Sequence, residues 1–166
     1  LLVDYNFLYL ILFIFLIIFC FNLIGKSFLG DSGTYCIGFL ISIIAISFAY
    51  NNLDKVSPYY IAVLLWYPAF ENLFSIIRRN FSKKNNYLPD NGHLHHLIFK
   101  IFKRKKIFKR NFLLSSIIGL SINSILFINY LIGYHYYNQT AIQVLLIFFG
   151  ILLYLIFYYI LKKRLG

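Results

Sequence analysis

The sequence predicts an all-α integral membrane protein, with about five transmembrane helices and a basic cytoplasmic loop that carries a short amphipathic helix. The 166 residues are 61% hydrophobic and 21% aromatic but only 13% charged, a composition that is a poor fit for a soluble globular domain. The apolar residues form runs close to the roughly 20 residues that a helix needs to cross a bilayer. The Lys and Arg residues lie mainly between and after these runs, which is typical of membrane-protein loops.

Five apolar runs qualify as spans, although the second is short and the third contains Pro68 and Glu71. Pro68 lacks a backbone donor, so we expect it to kink the third helix. We expect one membrane domain over residues 1–166, in which a cytoplasmic loop, 78–111, separates the third span from the fourth. The predicted spans are residues 7–24, 33–50, 59–77, 112–133 and 141–161.

The positions of the basic residues predict how the chain crosses the membrane. In a five-span arrangement, all of the 16 Lys and Arg residues except Lys55 lie on one side. The positive-inside rule makes that side cytoplasmic, so the loop 78–111 and the C-terminus face the cytoplasm. The formal net charge of +11 is then a signal of topology or of attraction to anionic membrane lipid, and we expect no nucleic-acid partner.

The segment Gly30-Asp31-Ser32-Gly33 lies at the cytoplasmic start of the second span. Asp31 or Ser32 can cap the N-terminus of a helix by accepting its free N–H groups. A carboxylate between two glycines can also hold Mg²⁺ while the backbone approaches a phosphate, because Mg²⁺ takes one or two carboxylates and fills its other positions with water and phosphate oxygens. The two roles are compatible, since a capping carboxylate keeps unused lone pairs.

Glu71 is a carboxylate several residues inside the third predicted span. An acid at this depth is costly unless it is paired, which makes Glu71 a candidate functional residue. The alternative is a structural ion pair with Arg78 or Arg79, about two helical turns further along. The residues alone do not favour one interpretation over the other.

Within the basic loop, Pro89-Asp90-Asn91-Gly92 predicts a turn, and Asp90 or Asn91 can cap the helix that follows. Apolar side chains then recur at helical spacing, which predicts an amphipathic helix at the membrane surface. The apolar positions are Leu94, Leu97, Ile98, Ile101 and Phe102.

Three of the four histidines lie in His93-Leu94-His95-His96, at the start of this helix. On a helix His93 and His96 share a face while His95 points elsewhere, so the three do not predict a simple metal triad. With Lys100 or Arg79 they offer a cluster of donors for phosphate oxygens. The alternative is a solvated polar face in a loop that sets topology.

Taken in order, these motifs resemble the C-terminal half of the polyprenyl-phosphate N-acetylhexosamine-1-phosphate transferases. The likeness rests on Gly-Asp-Ser-Gly, on Pro-x-x-Glu from Pro68 to Glu71 with the Arg pair that follows, and on Pro-Asp-x-x-His-x-His-His from Pro89 to His96. It covers residues 29–96 by motif and the rest by topology. The histidine string looks closer to the transferases that start O-antigen, enterobacterial common antigen or teichoic acid linkage synthesis than to the peptidoglycan branch.

The resemblance implies transfer of a HexNAc 1-phosphate from UDP-N-acetylhexosamine to undecaprenyl phosphate, with release of UMP, at the cytoplasmic face of a bacterial inner membrane. This step initiates synthesis of a cell-envelope glycan. By motif position, Asp31 is implied to be catalytic as the Mg²⁺ ligand, with Mn²⁺ as a substitute ion. His93, His95 and His96 are implied to belong to the nucleotide-sugar site.

Further residues are assigned around these implied centres. Arg79 and Lys100 are expected to bind the anionic substrate, because a basic loop attracts a nucleotide diphosphate. The expected supporting residues are Glu71, Asp90, Gly30 and Gly33.

The chain also departs from the family, because the acidic pair and the Asn/Asp-rich loop are absent. Since the 166 residues contain no Met, we expect a C-terminal fragment that is inactive without its N-terminal half; a homo-oligomer is compatible with the sequence. The alternative function is a non-enzymatic membrane protein that binds a metal or anionic lipid through its His-rich basic loop. That alternative predicts tight Zn²⁺ or Ni²⁺ binding that is lost with His95 and His96.

Overall fold

Six α-helices and no β-strand are present in residues 5–27, 30–81, 92–104 and 111–165, which are the residues that the computed structural model describes. The side chains of Tyr5, Phe7, Leu8 and Asp31 are outside that description. The predicted all-α class is confirmed. The helices are α1 (Tyr5–Leu23), α2 (Gly30–Asn51), α3 (Pro58–Phe81), α4 (Leu94–Arg104), α5 (Asn111–His135) and α6 (Thr140–Leu165).

Four described helices are long and apolar enough to cross a membrane, namely α3, α5, α6 and the part of α2 from Ser32 to Asn51. A shorter apolar helical stretch, Tyr9–Leu23, lies in α1. Many of their large apolar side chains are exposed, as is expected of helices whose outer faces contact lipid. Together with the short helix α4, this agrees with the predicted class of about five membrane helices.

The described residues form two compact units, of which the first lies within Leu1–Val56 and contains α1 and α2. A glycine turn ends α1. The Lys26 N–H donates to the Phe21 carbonyl at 3.0 Å and the Gly25 N–H donates to the Asn22 carbonyl at 3.0 Å. Gly25 has a φ of 70°, a conformation that glycine adopts without the steric cost of a Cβ and that satisfies the last helical carbonyls.

The second unit lies within Ser57–Gly166 and contains α3 to α6. Helices α3 and α6 approach closely at Gly150, where an added Cβ would lie 2.6 Å from Cζ2 of Trp66. Further along the same contact, the Phe74 ring packs edge-on against Tyr154 and Tyr158, with centroid distances of 5.6 and 4.8 Å. This aromatic contact belongs to the cluster in which Leu94 and Leu97 of α4 are buried.

The other end of the second unit is held together by polar contacts between the start of α3 and the turn from α5 to α6. The Ser57 and Thr140 hydroxyls are 3.0 Å apart, and the Ser57 N–H donates to the Tyr137 carbonyl at 2.9 Å. Gln143 is fully buried, and its Nε2 donates to the Tyr136 carbonyl at 2.7 Å. These hydrogen bonds offset part of the desolvation cost of Ser57 and of the Gln143 amide nitrogen, whereas the buried Oε1 of Gln143 has no hydrogen-bond partner among the described residues.

The apolar stripe of α4 packs against protein, not only against a membrane surface as the sequence predicted. Leu94 and Leu97 are buried in one cluster with Tyr154 and Tyr158 of α6. The helical spacing of the stripe predicts an apolar face but does not tell whether that face meets lipid or protein. The prediction assumed lipid, and the structure shows protein. Only its far end keeps a large exposed side chain, Phe102, which is 40% exposed.

Candidate functional site

Glu71 is a buried carboxylate that ties α3 to the first turn of α4. Glu71 is only 7% exposed, and its Oε1 accepts a hydrogen bond from the Leu94 N–H at 2.9 Å. Leu94 is the first residue of α4, whose early N–H groups have no partner within the helix and carry a partial positive charge. Glu71 therefore caps a helix that begins 23 residues further along the chain.

The same carboxylate lies beside two of the predicted histidines. His93 Nδ1 is 3.6 Å and His95 Nδ1 is 4.0 Å from Glu71 Oε1. Ser75, one helical turn after Glu71, places its hydroxyl oxygen 3.3 Å from His93 Nδ1. The hydroxyl groups of Tyr67 and Tyr154 also interact with Glu71. The buried acid is thus surrounded by donors from three helices and the loop.

The three histidine rings lie next to one another. Ring centroids are 5.6 Å apart for His93 and His95, 4.2 Å for His95 and His96, and 6.2 Å for His93 and His96. The expectation that His95 points away from the other two was wrong. It assumed that all three belong to one helix. In the structure α4 begins at Leu94, so His93 precedes the helix and its ring does not have to follow the helical spacing.

The environment of His95 favours its neutral form. Burial lowers the pKa of the His95 imidazole, and the neighbouring charges of His96 and His93 lower it further, while the Glu71 carboxylate partly opposes them. A neutral imidazole offers one donor nitrogen and one acceptor nitrogen. About half of the side chain is exposed, so His95 can contact a ligand from solution.

Sequence reasoning missed a polar stripe on α3 that contacts Gly92, His93 and the first turn of α4. Glu71, Ser75 and Arg78 are four and three residues apart, so they share one helical face. Arg78 Nη1 donates to the Tyr158 hydroxyl at 3.0 Å, and an added Cβ on Gly92 would overlap the Arg78 guanidinium. Polar residues at helical spacing inside an apolar run were the available signal, but Arg78 was expected only as a possible ion-pair partner of Glu71, and Arg79 was expected to bind substrate.

The other predicted substrate-binding residues lie on the edges of the histidine cluster. Arg79 is half-buried in the last turn of α3, and Lys100 is exposed on α4, four residues after His96 and therefore on the same helical face. Asp90 lies outside the described residues. The cluster can donate hydrogen bonds to the oxygens of a phosphate or a nucleotide, because imidazole, guanidinium and ammonium groups are its exposed donors.

Asp31 lies in the first turn of α2, in the first unit. The helix begins at Gly30, which has a φ of 64°, so Asp31 and Ser32 follow the helix start and do not precede it as predicted caps. Gly33 is in the same turn. A carboxylate suits the positive end of a helix and is the kind of ligand that Mg²⁺ prefers, so Asp31 fits one metal ligand in chemical type.

A metal site built from several side chains is not found in the part of the chain that the structure describes. No three His, Cys, Asp or Glu residues there are placed to hold an ion together. The Nδ1 atoms of His93 and His95 lie near Glu71 and Ser75 instead. The metal role of Asp31 stays a prediction.

Two relatives resemble this chain over a little less than half of its length. One, "Probable undecaprenyl-phosphate N-acetylglucosaminyl 1-phosphate transferase" of Bacillus subtilis (strain 168), is 35% identical over 72 residues, which are 43% of this chain and 20% of the relative. The other, "Undecaprenyl-phosphate alpha-N-acetylglucosaminyl 1-phosphate transferase" of Thermotoga maritima, is 36% identical over 81 residues, which are 49% of this chain and 25% of the relative.

These relatives confirm the resemblance that was drawn from the order of the motifs. The matched stretches span a fifth and a quarter of the relatives' own lengths. No family model matches the chain, and no solved structure matches it.

Proposed function

We propose that this chain, which resembles the undecaprenyl-phosphate N-acetylglucosaminyl 1-phosphate transferases, is part of a membrane enzyme that transfers a HexNAc 1-phosphate from a UDP-sugar to undecaprenyl phosphate. The proposal rests chiefly on one observation: the histidine segment of the family-like motif is fixed by Glu71 at the start of α4, in a chain similar to two such transferases. The step initiates a cell-envelope glycan at the cytoplasmic face of a bacterial inner membrane.

In the proposed reaction, a phosphate oxygen of the lipid attacks the sugar-bearing phosphorus of the UDP-sugar. The bond between that phosphorus and the bridging oxygen breaks, and UMP leaves with the bond's electron pair. The products are polyprenyl diphosphate HexNAc and UMP. His93, His95 and His96 hold the diphosphate by hydrogen bonds, and Arg79 and Lys100 attract it by charge.

Asp31 is the residue of this chain that we assign to the metal. Its carboxylate would hold Mg²⁺, or Mn²⁺ in its place, with other ligands from water and substrate phosphate oxygens. When bound, the ion supplies neutralisation of the diphosphate and stabilises charge on the leaving nucleotide. Gly30 and Gly33 are the supporting residues in this proposal, and an added Cβ on Gly30 would meet no atom within 4 Å.

The test is release of UMP by the complete enzyme in membranes that contain undecaprenyl phosphate. Mg²⁺ is present in every assay, and one donor is added to each: UDP-GlcNAc, UDP-GalNAc or another UDP-N-acetylhexosamine. The UMP released is then measured. We expect one of these donors to give UMP in amounts that depend on the added lipid. Absence of UMP with every donor would overturn the proposed function.

Substitution of Asp31 tests its metal role. We expect Asp31→Asn to lower the rate at least a hundredfold, because an amide is a much weaker Mg²⁺ ligand than a carboxylate. Asp54→Asn removes an acid from the turn between α2 and α3 and serves as the control, with a rate close to that of the wild type. If Asp31→Asn keeps a near-normal rate, Asp31 is a residue of the helix N-terminus only.

A further inference from the structure

An apolar groove of about 450 Å³ runs along the second unit between α4, α5 and α6. On α5 its wall extends from Leu114 to Ile132, which corresponds to about 27 Å along a helix. That length exceeds the roughly 15 Å depth of one hydrocarbon leaflet. The groove is therefore long enough for an acyl chain that enters from one side of the bilayer.

Five exposed cations lie where α4 and α6 end, and we call this group the basic corner. The two helix ends meet there, because Arg104 Nη2 donates to the Leu165 carbonyl at 3.4 Å. The sequence contains no Asp or Glu after Asp90, so neither helix carries an acid that could neutralise the group. The basic corner consists of Lys103, Arg104, Lys162, Lys163 and Arg164.

The groove and the basic corner are continuous. Phe102 and Leu161 both line the groove, and the residues that follow them are Lys103 and Lys162 of the corner. Phe102 is 40% exposed, and Lys103 lies over the Phe99 ring at 5.6 Å. Exposed aromatic rings beside cations are typical of the boundary between hydrocarbon and headgroups.

We propose that this amphipathic surface is a binding site for an anionic phospholipid such as phosphatidylglycerol, with an acyl chain in the groove and the headgroup phosphate on the basic corner. Two basic clusters that are about 60 residues apart in sequence are joined here by the packing of α4 on α6. Cations near a membrane attract anionic headgroups by about 1 kcal/mol each. Charge complementarity and the continuous groove together favour a lipid that has an anionic headgroup and an acyl chain.

The choice of a phospholipid over the polyprenyl acceptor rests on the proposed function. The reacting phosphate of the acceptor has to meet the nucleotide sugar, whose proposed site is at His93 to His96. Arg104 is nine residues after His95, or about 14 Å along α4. A phosphate on the basic corner is too far from that site to react, so this lipid is a bound component and not a substrate.

The experiment measures lipid binding to the full chain, purified in a neutral detergent, by native mass spectrometry. Phosphatidylglycerol, phosphatidylcholine and undecaprenyl phosphate are titrated separately and in competition, with no nucleotide sugar present. We expect phosphatidylglycerol to bind about tenfold more tightly than phosphatidylcholine. We expect the double variant Lys103→Gln/Arg104→Gln to bind phosphatidylglycerol about tenfold more weakly. The control Lys26→Gln/Lys55→Gln removes the same charge elsewhere and should leave this binding unchanged.

A second pair of variants tests the groove. Ser121 lines it, whereas Ser124 is exposed on α5 outside the lining, and both hydroxyls bond the carbonyl four residues earlier at 2.8 Å. Ser121→Phe should weaken the binding of phosphatidylglycerol and Ser124→Phe should not. Circular dichroism should show equal helix content in the two variants. Equal effects within either pair would overturn the proposal, as would undecaprenyl phosphate displacing phosphatidylglycerol from the basic corner. Because no transfer is measured, loss of the transferase activity has no effect on these readouts.

Discussion

At the scale of single residues, Glu71 has a role that its position in the sequence could not specify. A carboxylate inside a span indicates function because its burial is costly unless it is paired. Its partners here are the Leu94 N–H and the two imidazoles of His93 and His95, which compensate for the lost hydration. Glu71 is thereby a positioning residue for the histidine cluster.

Substitution of Glu71 tests this role. Glu71→Ala leaves the Leu94 N–H without its acceptor, and we expect a loss of about 2 kcal/mol in unfolding free energy, since an unpaired buried donor costs about 1–3 kcal/mol. Glu71→Gln keeps an acceptor oxygen and should lose less than half of that amount. Thermal unfolding in one detergent measures both, with Asn72→Ala, the exposed neighbour, as the control. Equal melting temperatures for the Ala and Gln variants would contradict the capping role.

The pKa of His95 predicts how stability depends on pH. Because the folded pKa is lower than the ordinary value of 6.5, the unfolded chain binds more protons between those two values. Stability should therefore rise with pH in this window and be lost as the pH falls from 6.5 through the folded pKa. Melting temperatures between pH 7.5 and 5.0 measure the slope. His95→Gln should flatten it and His135→Gln, at the end of α5, should not; an unchanged slope in the His95 variant would count against the assignment.

At the scale of the helices, the close approach of α3 and α6 decides where α4 rests. Gly150 lets the rigid Trp66 ring reach the α6 backbone, and the aromatic rings beyond it present Tyr154 and Tyr158 to α4. A helix with an apolar stripe buries it on the nearest apolar surface. Because α4 packs on that surface of α6, its first turn lies beside Glu71.

Two glycines provide a matched test of this contact. Gly150→Ala places a Cβ against Trp66, which has little room to move, and we expect a loss of about 1–3 kcal/mol from overpacking. Gly119→Ala, on α5, meets nothing within 4 Å and should be neutral or stabilising by up to about 1 kcal/mol, because alanine favours helix over glycine. Thermal unfolding of the two variants is the measurement. Similar melting temperatures would show that the α3–α6 packing described above is wrong.

At the scale of the whole molecule, the orientation in the membrane is a prediction from the distribution of charge. All of the 16 basic residues except Lys55 fall on one side of a five-span arrangement, and basic loops are retained in the cytoplasm. The proposed nucleotide site needs that orientation, since a UDP-sugar is available in the cytoplasm.

Cysteine labelling checks the orientation. In a chain with Cys20→Ser and Cys36→Ser, we introduce Lys55→Cys or Lys163→Cys and treat spheroplasts with a membrane-impermeant maleimide. Lys55→Cys should be labelled at once and Lys163→Cys only after the membrane is permeabilised. Labelling of Lys163→Cys in intact spheroplasts would reverse the predicted topology.

Much of the architecture could be predicted because it depends on local properties. The apolar runs, the amphipathic spacing of α4 and the order of the family-like motifs are sums over neighbouring residues, so no contact has to be known to recognise them. The motifs also assigned the histidines and Glu71 to one predicted site, although they did not predict a contact between them. The two relatives confirm the family likeness.

The arrangement around the site was determined by contacts between distant residues, which no local pattern contains. Glu71 meets Leu94 across 23 residues, Arg78 meets Tyr158 across 80, and Arg104 meets Leu165 across 61. Hydrophobicity and charge are read along the chain, but the partner of a buried carboxylate is set by which helices pack together. For that reason the sequence was sufficient to predict a membrane protein with a histidine-rich loop, whereas the capping role of Glu71, the gathered histidine rings and the basic corner required the folded chain.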